Sequence, residues 1–234
     1  LLKKLDYQFK YYDYIFTFEE QDVLEIKKVY GLEAYFCPLG YNKFAYYPVE
    51  MLKDIDIIFV GMGSEKRIKI LNEIAQFSKK ANLTFKIVGK YYSENHFWKK
   101  WQFRKKYGTL YKYIENKFIE PKAVADLYRR SKICINIHVD EHDGLNPRSF
   151  DILGTKSFML VDERISYGED LKSGRDFIVY RDSGDLINKI NYYLNDEYKR
   201  EKIANSGYNQ VKSKMSITEL INEYMIAVFK GRNK

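Results

Sequence analysis

The 234-residue chain is 45% apolar and 17% aromatic, which supplies a sizeable core for one large domain or two small ones and excludes a disordered chain. No stretch is as long and apolar as a membrane-spanning helix; the best, Ile55 to Met62, is strand-sized and contains Asp56. The net charge of +8 is spread along the chain among 32 acidic residues, and two distant cysteines, Cys37 and Cys134, make no disulfide framework and fit a reducing cytoplasm.

The start, Leu1-Leu-Lys-Lys, has neither an initiator Met nor a signal-peptide layout and reads as a position inside a longer protein. Asp13 to Phe18 reads as a short buried strand, Glu19 to Tyr30 as a helix ended by Gly31, and Ala34 to Cys37 as a second strand closed by Pro38 and Gly40. A loose linker, Tyr41 to Pro48, follows.

From Asp54 a new rhythm of strand, glycine turn and helix begins. Ile57 to Val60 predicts a strand, Gly61-Met-Gly63 a turn, and Lys66 to Lys80 a helix with apolar residues at Ile70, Leu71, Ile74 and Phe77. Thr84 to Val88 is the next strand, ending at Gly89. After an aromatic-rich insertion come a short helix around Val124, Leu127 and Tyr128 and a strand from Ile133 to Ile137. Pro147 opens a helix at the favoured first position; Phe158 to Val161 and Phe177 to Tyr180 add two strands. The C-terminal third is helical, with Ser216-Ile-Thr-Glu219 as a capping box before Leu220 to Phe229. Apolar strands separated by helices predict an α/β fold whose mostly parallel sheet is covered on both faces.

Four motifs carry candidate chemistry. Gly61-Met-Gly63 stands between strand and helix, where backbone amides approach a diphosphate and Lys66 and Arg67 supply cations. The dinucleotide fingerprint would need glycine at Lys66 and an acid after the next strand, which argues against a dehydrogenase; a plain tight turn with solvated charges is the alternative. His138-Val-Asp-Glu-His142 has the letters of an inverted zinc-protease motif, but a strand end and a turn would not converge two rings on a metal. Asp143-Gly-Leu-Asn-Pro-Arg-Ser-Phe-Asp151 places two carboxylates around a helix entry, with amides at Gly144, Leu145 and Asn146 and a cation at Arg148, suited to a phosphorylated, polyhydroxylated ligand. A helix cap by Asn146 with incidental acids is the simpler alternative. Lys99-Lys-Trp-Gln-Phe-Arg-Lys-Lys106 reads as a solvated helix with an apolar stripe at Phe97, Trp101 and Phe103, although its interleaved aromatics and cations also suit a single-strand binder or a basic rim near anionic donors or lipid.

In running order, Asp56 to Gly61 with Arg67, Phe85 to Gly89, Tyr128 to Ile137, Asp143 to Asp151 and Met159 to Asp162 resemble the donor-binding half of a GT-B glycosyltransferase, and more narrowly the CgeB-like spore-maturation branch of the group-one enzymes. The resemblance spans about Asp13 to Phe229, and the Asn-x-Arg-x-Phe-acid core is its most specific part. It implies a Rossmann-like domain over residues 48–215, a remnant of the N-terminal acceptor domain with a linker over 1–47, and a crossover helix over 216–234. It further implies a bacterial, cytoplasmic enzyme, peripheral at the inner face of the membrane, that uses a nucleotide-diphosphate sugar, is retaining and needs no metal or other cofactor. The acceptor would be a glycan, a lipid-linked compound or a protein.

By that resemblance Asp143 and Asp151 replace the family's two glutamates: the first lies near the donor sugar and the second binds the ribose. Gly61, Gly63, Lys66, Arg67 and Arg148 would hold the diphosphate, with Met62 standing where the family has a first cation. Gly89, Lys90, Tyr113 and Ile114 would line the base pocket. No catalytic acid, base or nucleophile is assigned to this half. The rival expectation is a noncatalytic nucleotide- or nucleic-acid-binding module on the same fold.

Overall fold

The computed structural model describes residues 8–9, 11–139, 144–167 and 170–232. Two parallel sheets are present among them. The smaller pairs β1 (Ile15–Thr17) with β2 (Ala34–Phe36), joined by helix α1 (Glu20–Tyr30), which stops where Gly31 turns left-handed at φ 66°.

The larger sheet has six strands: β3 (Ile55–Val60), β4 (Phe85–Val88), β5 (Ile114–Glu115), β6 (Ser131–Asn136), β7 (Met159–Asp162) and β8 (Ile178–Tyr180). Their order is β5-β4-β3-β6-β7-β8, and every pairing is parallel. The chain thus winds outward from β3 to one edge, returns to β6 beside β3, and winds to the other edge. This is a doubly wound arrangement, with its switch point between β3 and β6.

Strand alternation explains why both faces need cover. Ile57, Phe59, Ile133, Ile135 and Leu160 enter one buried cluster; Ile58, Cys134, Met159 and Val161 enter the other. Helices α2 (Glu65–Lys80), through Leu71, Ile74 and Ala75, and α7 (Ser183–Leu194), through Leu186 and Ile190, close the first. Helices α5 (Pro121–Arg129) and α6 (Pro147–Gly154) close the second through Ala125, Tyr128, Phe150, Ile152 and Leu153. Between β4 and β5 lie α3 (Phe97–Lys106) and the single turn α4 (Gly108–Tyr111). Helix α8 (Glu197–Lys214) supplies Ile203 and Ala204 to one cluster and Val211 to the other.

Three elements differ from the sequence expectation. Strand β5 lies inside the aromatic insertion, where two residues are too short to show a period. The 41–48 segment is not loose: Tyr41, Ala45 and Tyr46 are buried, and Arg129 donates from Nε and Nη2 to the Tyr47 carbonyl at 2.8 and 2.6 Å. Its anchors are tertiary, so no local pattern announces them. The last helix is not continuous either: α9 (Ile217–Leu220) runs into a π turn over Ile221–Met225 and then α10 (Ile226–Arg232).

The linker and the C-terminal segment meet by backbone pairing, with Tyr41 N–H on the Met215 carbonyl and Ile217 N–H on the Tyr41 carbonyl, both 3.0 Å. The C-terminal helix then packs on the small sheet: the Phe229 ring stands edge-on to Tyr14 at 4.6 Å, and Tyr224 meets Phe36 at 6.2 Å. No helix among the described residues is long and apolar enough to cross a membrane.

Candidate functional site

At the switch point the chain leaves β3 toward one side of the sheet and β6 toward the other, and open sheets of this kind take their ligands at that carboxyl edge. Three glycines shape the backbone there. Gly89, at the end of β4, has φ 151°, and a Cβ there would lie 2.0 Å from the Gly61 carbonyl oxygen, so the two strand exits touch backbone to backbone. A Cβ on Gly61 would lie 3.0 Å from Nη2 of Arg148, which places that guanidinium against the first turn. Gly63 makes room for the Tyr91 ring, which a Cβ would approach to 2.8 Å. Ser64 then caps α2, its hydroxyl accepting from the Arg67 N–H at 3.3 Å.

Two guanidinium groups flank Phe59, Arg67 at 5.5 Å and Arg148 at 5.7 Å from the ring centroid. They do different work. Arg67 is buried and donates to the Ile137 carbonyl at 3.0 and 2.8 Å and to the Met62 carbonyl at 3.0 Å, bracing the glycine turn against the end of β6. Burial, with the Arg148 charge next, lowers its pKa to about 10. Arg148 is half-buried and, among the described residues, makes one hydrogen bond, from Nη1 to Oδ1 of Asn136 at 3.2 Å. Its remaining donors stand beside the Gly61 turn, available to an anion.

Asn136 is the hub. Fully buried at the end of β6, it donates from Nδ2 to Oδ1 of Asn146 and to Oγ of Ser149, both 2.8 Å, while its Oδ1 accepts from Arg148. Asn146 in turn caps α6, accepting from the Ser149 N–H at 3.2 Å, and Pro147 fits the first helical position. One amide thus ties the strand end, the helix entry and the cation together.

A second brace runs through His138. Its Nε2 accepts from the Asn146 N–H at 3.0 Å, so its Nδ1 carries the proton and donates to Oδ1 of Asp162 at 2.6 Å. Burial pulls His138 below its ordinary pKa, although the Asp162 hydrogen bond acts the other way. Burial alone would raise Asp162; the hydrogen bonds from His138 and Arg164 outweigh it and hold the carboxyl below the usual range. Lys66 pairs with the same carboxylate at 3.1 Å. Its ammonium lines a separate concavity of about 540 Å³ at the ends of β7 and β8, with Arg164, Tyr180, Arg181 and Asp182.

Asp151 lies one turn into α6. Burial raises its carboxyl to about 7, against the lowering pull of Arg148. It is close enough to Tyr46 to help burial raise that phenol to about 12. The carboxylate has no hydrogen bond or ion pair among the described residues, so its acceptors are open.

The remaining sequence candidates divide. Gly144 has open space around it, whereas Leu145 is buried in the α5/α6 cluster. Lys90 donates to the Asn116 carbonyl at 3.0 Å and lies 6.0 Å from the Phe118 ring. Tyr113 turns inward, its ring 5.4 Å from Phe85 at the amino end of β4, and Ile114 packs beside it. Asp143 and His142 lie outside the described residues, and both ring nitrogens of His138 are occupied.

Sequence reasoning passed over Asn136, Asp162, Asn116 and Tyr91. Asn136 carried a signal, a lone amide inside Ile133-Cys-Ile-Asn-Ile. Asn116 organises the β4 exit, accepting from the Tyr91 and Tyr92 N–H groups at 2.8 and 3.3 Å, and nothing local marks it. The Tyr91 hydroxyl is buried without a hydrogen-bond partner among the described residues, beside the charges of Arg67 and Arg148.

Residues 67–225 match the family model described as "Glycosyl transferase-like". Spore protein CgeB of Bacillus subtilis (strain 168) is 22% identical over 225 residues, covering 89% of this chain and 65% of that protein. Among solved structures, the sucrose-phosphate synthase of Thermosynechococcus elongatus superimposes with a TM-score of 0.70 at 14% identity, over 94% of this chain and 58% of that one. Anabaena Alr3699/HepE in complex with UDP and glucose gives a TM-score of 0.72 at 11% identity, over 98% of this chain and 66% of that one. The chain is therefore shorter than each of these similar proteins, spanning 65% of the Bacillus one and 58% of the synthase.

Proposed function

The chain belongs to the glycosyl transferase-like family, with a GT-B fold and CgeB-like relatives, and from that premise we propose that it is the donor-binding half of a bacterial nucleotide-sugar-dependent glycosyltransferase. The observation that carries this reading is the Arg148 guanidinium, held by Asn136 against the Gly61 turn at the switch point of the sheet. The UDP and glucose in the Alr3699/HepE structure support a nucleotide sugar as the ligand.

In this reading the diphosphate lies over the Gly61–Gly63 turn, between Arg148 and the amino end of α2. Arg67 acts mainly by holding the turn, and Lys66 adds a positive field from the Asp162 side. Asp151 takes the ribose hydroxyls, Asp143 orients the sugar, and Gly89 and Lys90 border the base. The acceptor oxygen bonds the anomeric carbon as the bond from that carbon to the diphosphate breaks, and the acceptor hydroxyl's proton passes to an oxygen of the departing diphosphate. The electron pair leaves on the diphosphate, where Arg148 and the turn amides stabilise the developing charge.

No metal and no nucleophile from this half enter that scheme, and transfer with retention follows if the acceptor enters on the face the diphosphate leaves. Residues 48–215 form the donor domain, 1–47 end the acceptor domain and its linker, and 216–234 cross back to it. Acceptor binding and domain closure then require the rest of a longer cytoplasmic protein, whose acceptor is a glycan, a lipid-linked compound or a protein.

Calorimetry with uridine, guanosine and adenosine diphosphates tests the reading. Binding of one of them, weakened at least about tenfold by Arg148→Ala with an unchanged circular dichroism spectrum, supports it. A folded chain that binds none of the three overturns it.

A further inference from the structure

Helix α3 turns its largest side chains to solvent. Phe97 and Trp98 are each 71% exposed and Trp101 is 46% exposed, and no residue of the helix is buried. The opposite side is anchored: Phe103 packs on Tyr92 at 5.3 Å and on Tyr107 at 5.2 Å, and Lys100 pairs with Glu94 at 2.6 Å. Those contacts fix which face points out. A cluster of exposed indole and phenyl rings is unfavourable in water and marks a surface that something else covers.

The charge around it is one-sided. Between Glu94 and Glu115 the chain has no acidic residue, while Lys99, Arg104, Lys105, Lys106 and Lys112 are exposed cations. Lys105 Nζ lies 5.2 Å from the Trp101 ring centroid, and the Arg104 guanidinium 5.7 Å from that of Tyr111, so charged tips rim the aromatic bodies. Aromatic bodies beside cationic tips match the boundary between acyl chains and phosphates in an anionic bilayer. Single-stranded nucleic acid would need open, parallel ring faces. Here Phe97 and Trp98 meet at 75°, Trp98 and Trp101 at 84°, and Lys105 sits over Trp101, so these three rings do not form a parallel stacking platform.

The geometry points to α3 as a docking surface for an anionic lipid bilayer: Phe97, Trp98 and Trp101 enter the headgroup region, and Lys99, Arg104, Lys105 and Lys106 meet the lipid phosphates. In chain order the helix follows the exit of β4. This inference rests on the surface of α3 and not on the donor reading.

The two tryptophans of the chain are Trp98 and Trp101, so its tryptophan fluorescence reports on this helix alone. With vesicles of phosphatidylcholine and phosphatidylglycerol, emission shifts to shorter wavelength, brominated lipids quench it, and the protein floats with the vesicles; pure phosphatidylcholine does none of this. The triple variant Phe97→Ser, Lys105→Glu, Lys106→Glu loses vesicle affinity by more than about tenfold with unchanged circular dichroism and nucleotide binding. The inference is overturned by unshifted emission with the anionic vesicles, by a shift with a thymidine oligonucleotide but not with vesicles, or by a triple variant that keeps full vesicle affinity. Calorimetry with nucleotides reads other residues, so either idea can fail alone.

Discussion

Nη1 of Arg148 donates to Oδ1 of Asn136 at 3.2 Å, joining the first turn of α6 to the end of the central strand β6. The Asn136 amide also donates to Asn146 and Ser149, so a single buried side chain sets the helix cap and the position of the cation together. Asn136→Leu removes its bonds to Asn146, Ser149 and Arg148 and leaves the Arg148 guanidinium without a hydrogen-bond partner among the described residues. Urea denaturation is expected to show a loss of about 1–3 kcal/mol, and calorimetry a nucleotide affinity lower by about tenfold. Unchanged affinity in a folded variant would show that Asn136 does not position Arg148.

Arg148→Lys keeps the charge and discards the planar fork. A lysine ammonium is a single point of charge and cannot both donate to Oδ1 of Asn136 and keep a second nitrogen against the Gly61 turn, so affinity for the preferred nucleoside diphosphate is expected to fall about tenfold or more. The thermal midpoint should move little, because the guanidinium is only half-buried. Full retention of affinity in calorimetry would argue against a bidentate contact.

Asp151 gives a pH signature. Its folded carboxyl is raised to about 7 from a reference value of 3.8, so between those values the folded protein holds a proton that the unfolded chain has released. Stability contributed at low pH is then lost as pH rises from about 4 to about 7, by at most about 1.4 kcal/mol per pH unit. Asp151→Asn removes this term and should gain on the wild type over that window, in urea melts taken at successive pH values. Parallel wild-type and Asp151→Asn curves would refute the shift. His138, lowered by burial, acts in the opposite sense below its ordinary pKa, which is why the comparison must be with the single variant.

Gly89→Ala should be among the most damaging small changes in the domain. The backbone there has φ 151°, and the new methyl carbon would stand 2.0 Å from the Gly61 carbonyl oxygen. Separating the exits of β3 and β4 to admit it is expected to cost more than about 3 kcal/mol, seen as a lowered melting temperature or loss of soluble protein. A wild-type melting curve would mean that the two exits do not touch.

Local patterns alone specify an α/β domain with a mostly parallel sheet covered on both faces. The apolar run at Ile57–Val60, the helical period of Lys66–Lys80, the Gly31 stop and the Asn146-Pro147 helix entry are local physics, in which each residue reports its own backbone. The choice among neighbouring cations was not local. Lys66 and Arg67 are adjacent, yet one pairs with Asp162, 96 positions on, and the other with the Ile137 carbonyl, 70 positions on, which leaves Arg148 beside the glycine turn. Tertiary structure also decided that Asn136 is the hub, that Tyr46 is packed near Asp151, and that the α3 rings face water. A side chain's partners, its desolvation and therefore its charge depend on what the folded chain brings within a few ångströms, and residues distant in sequence supply most of it.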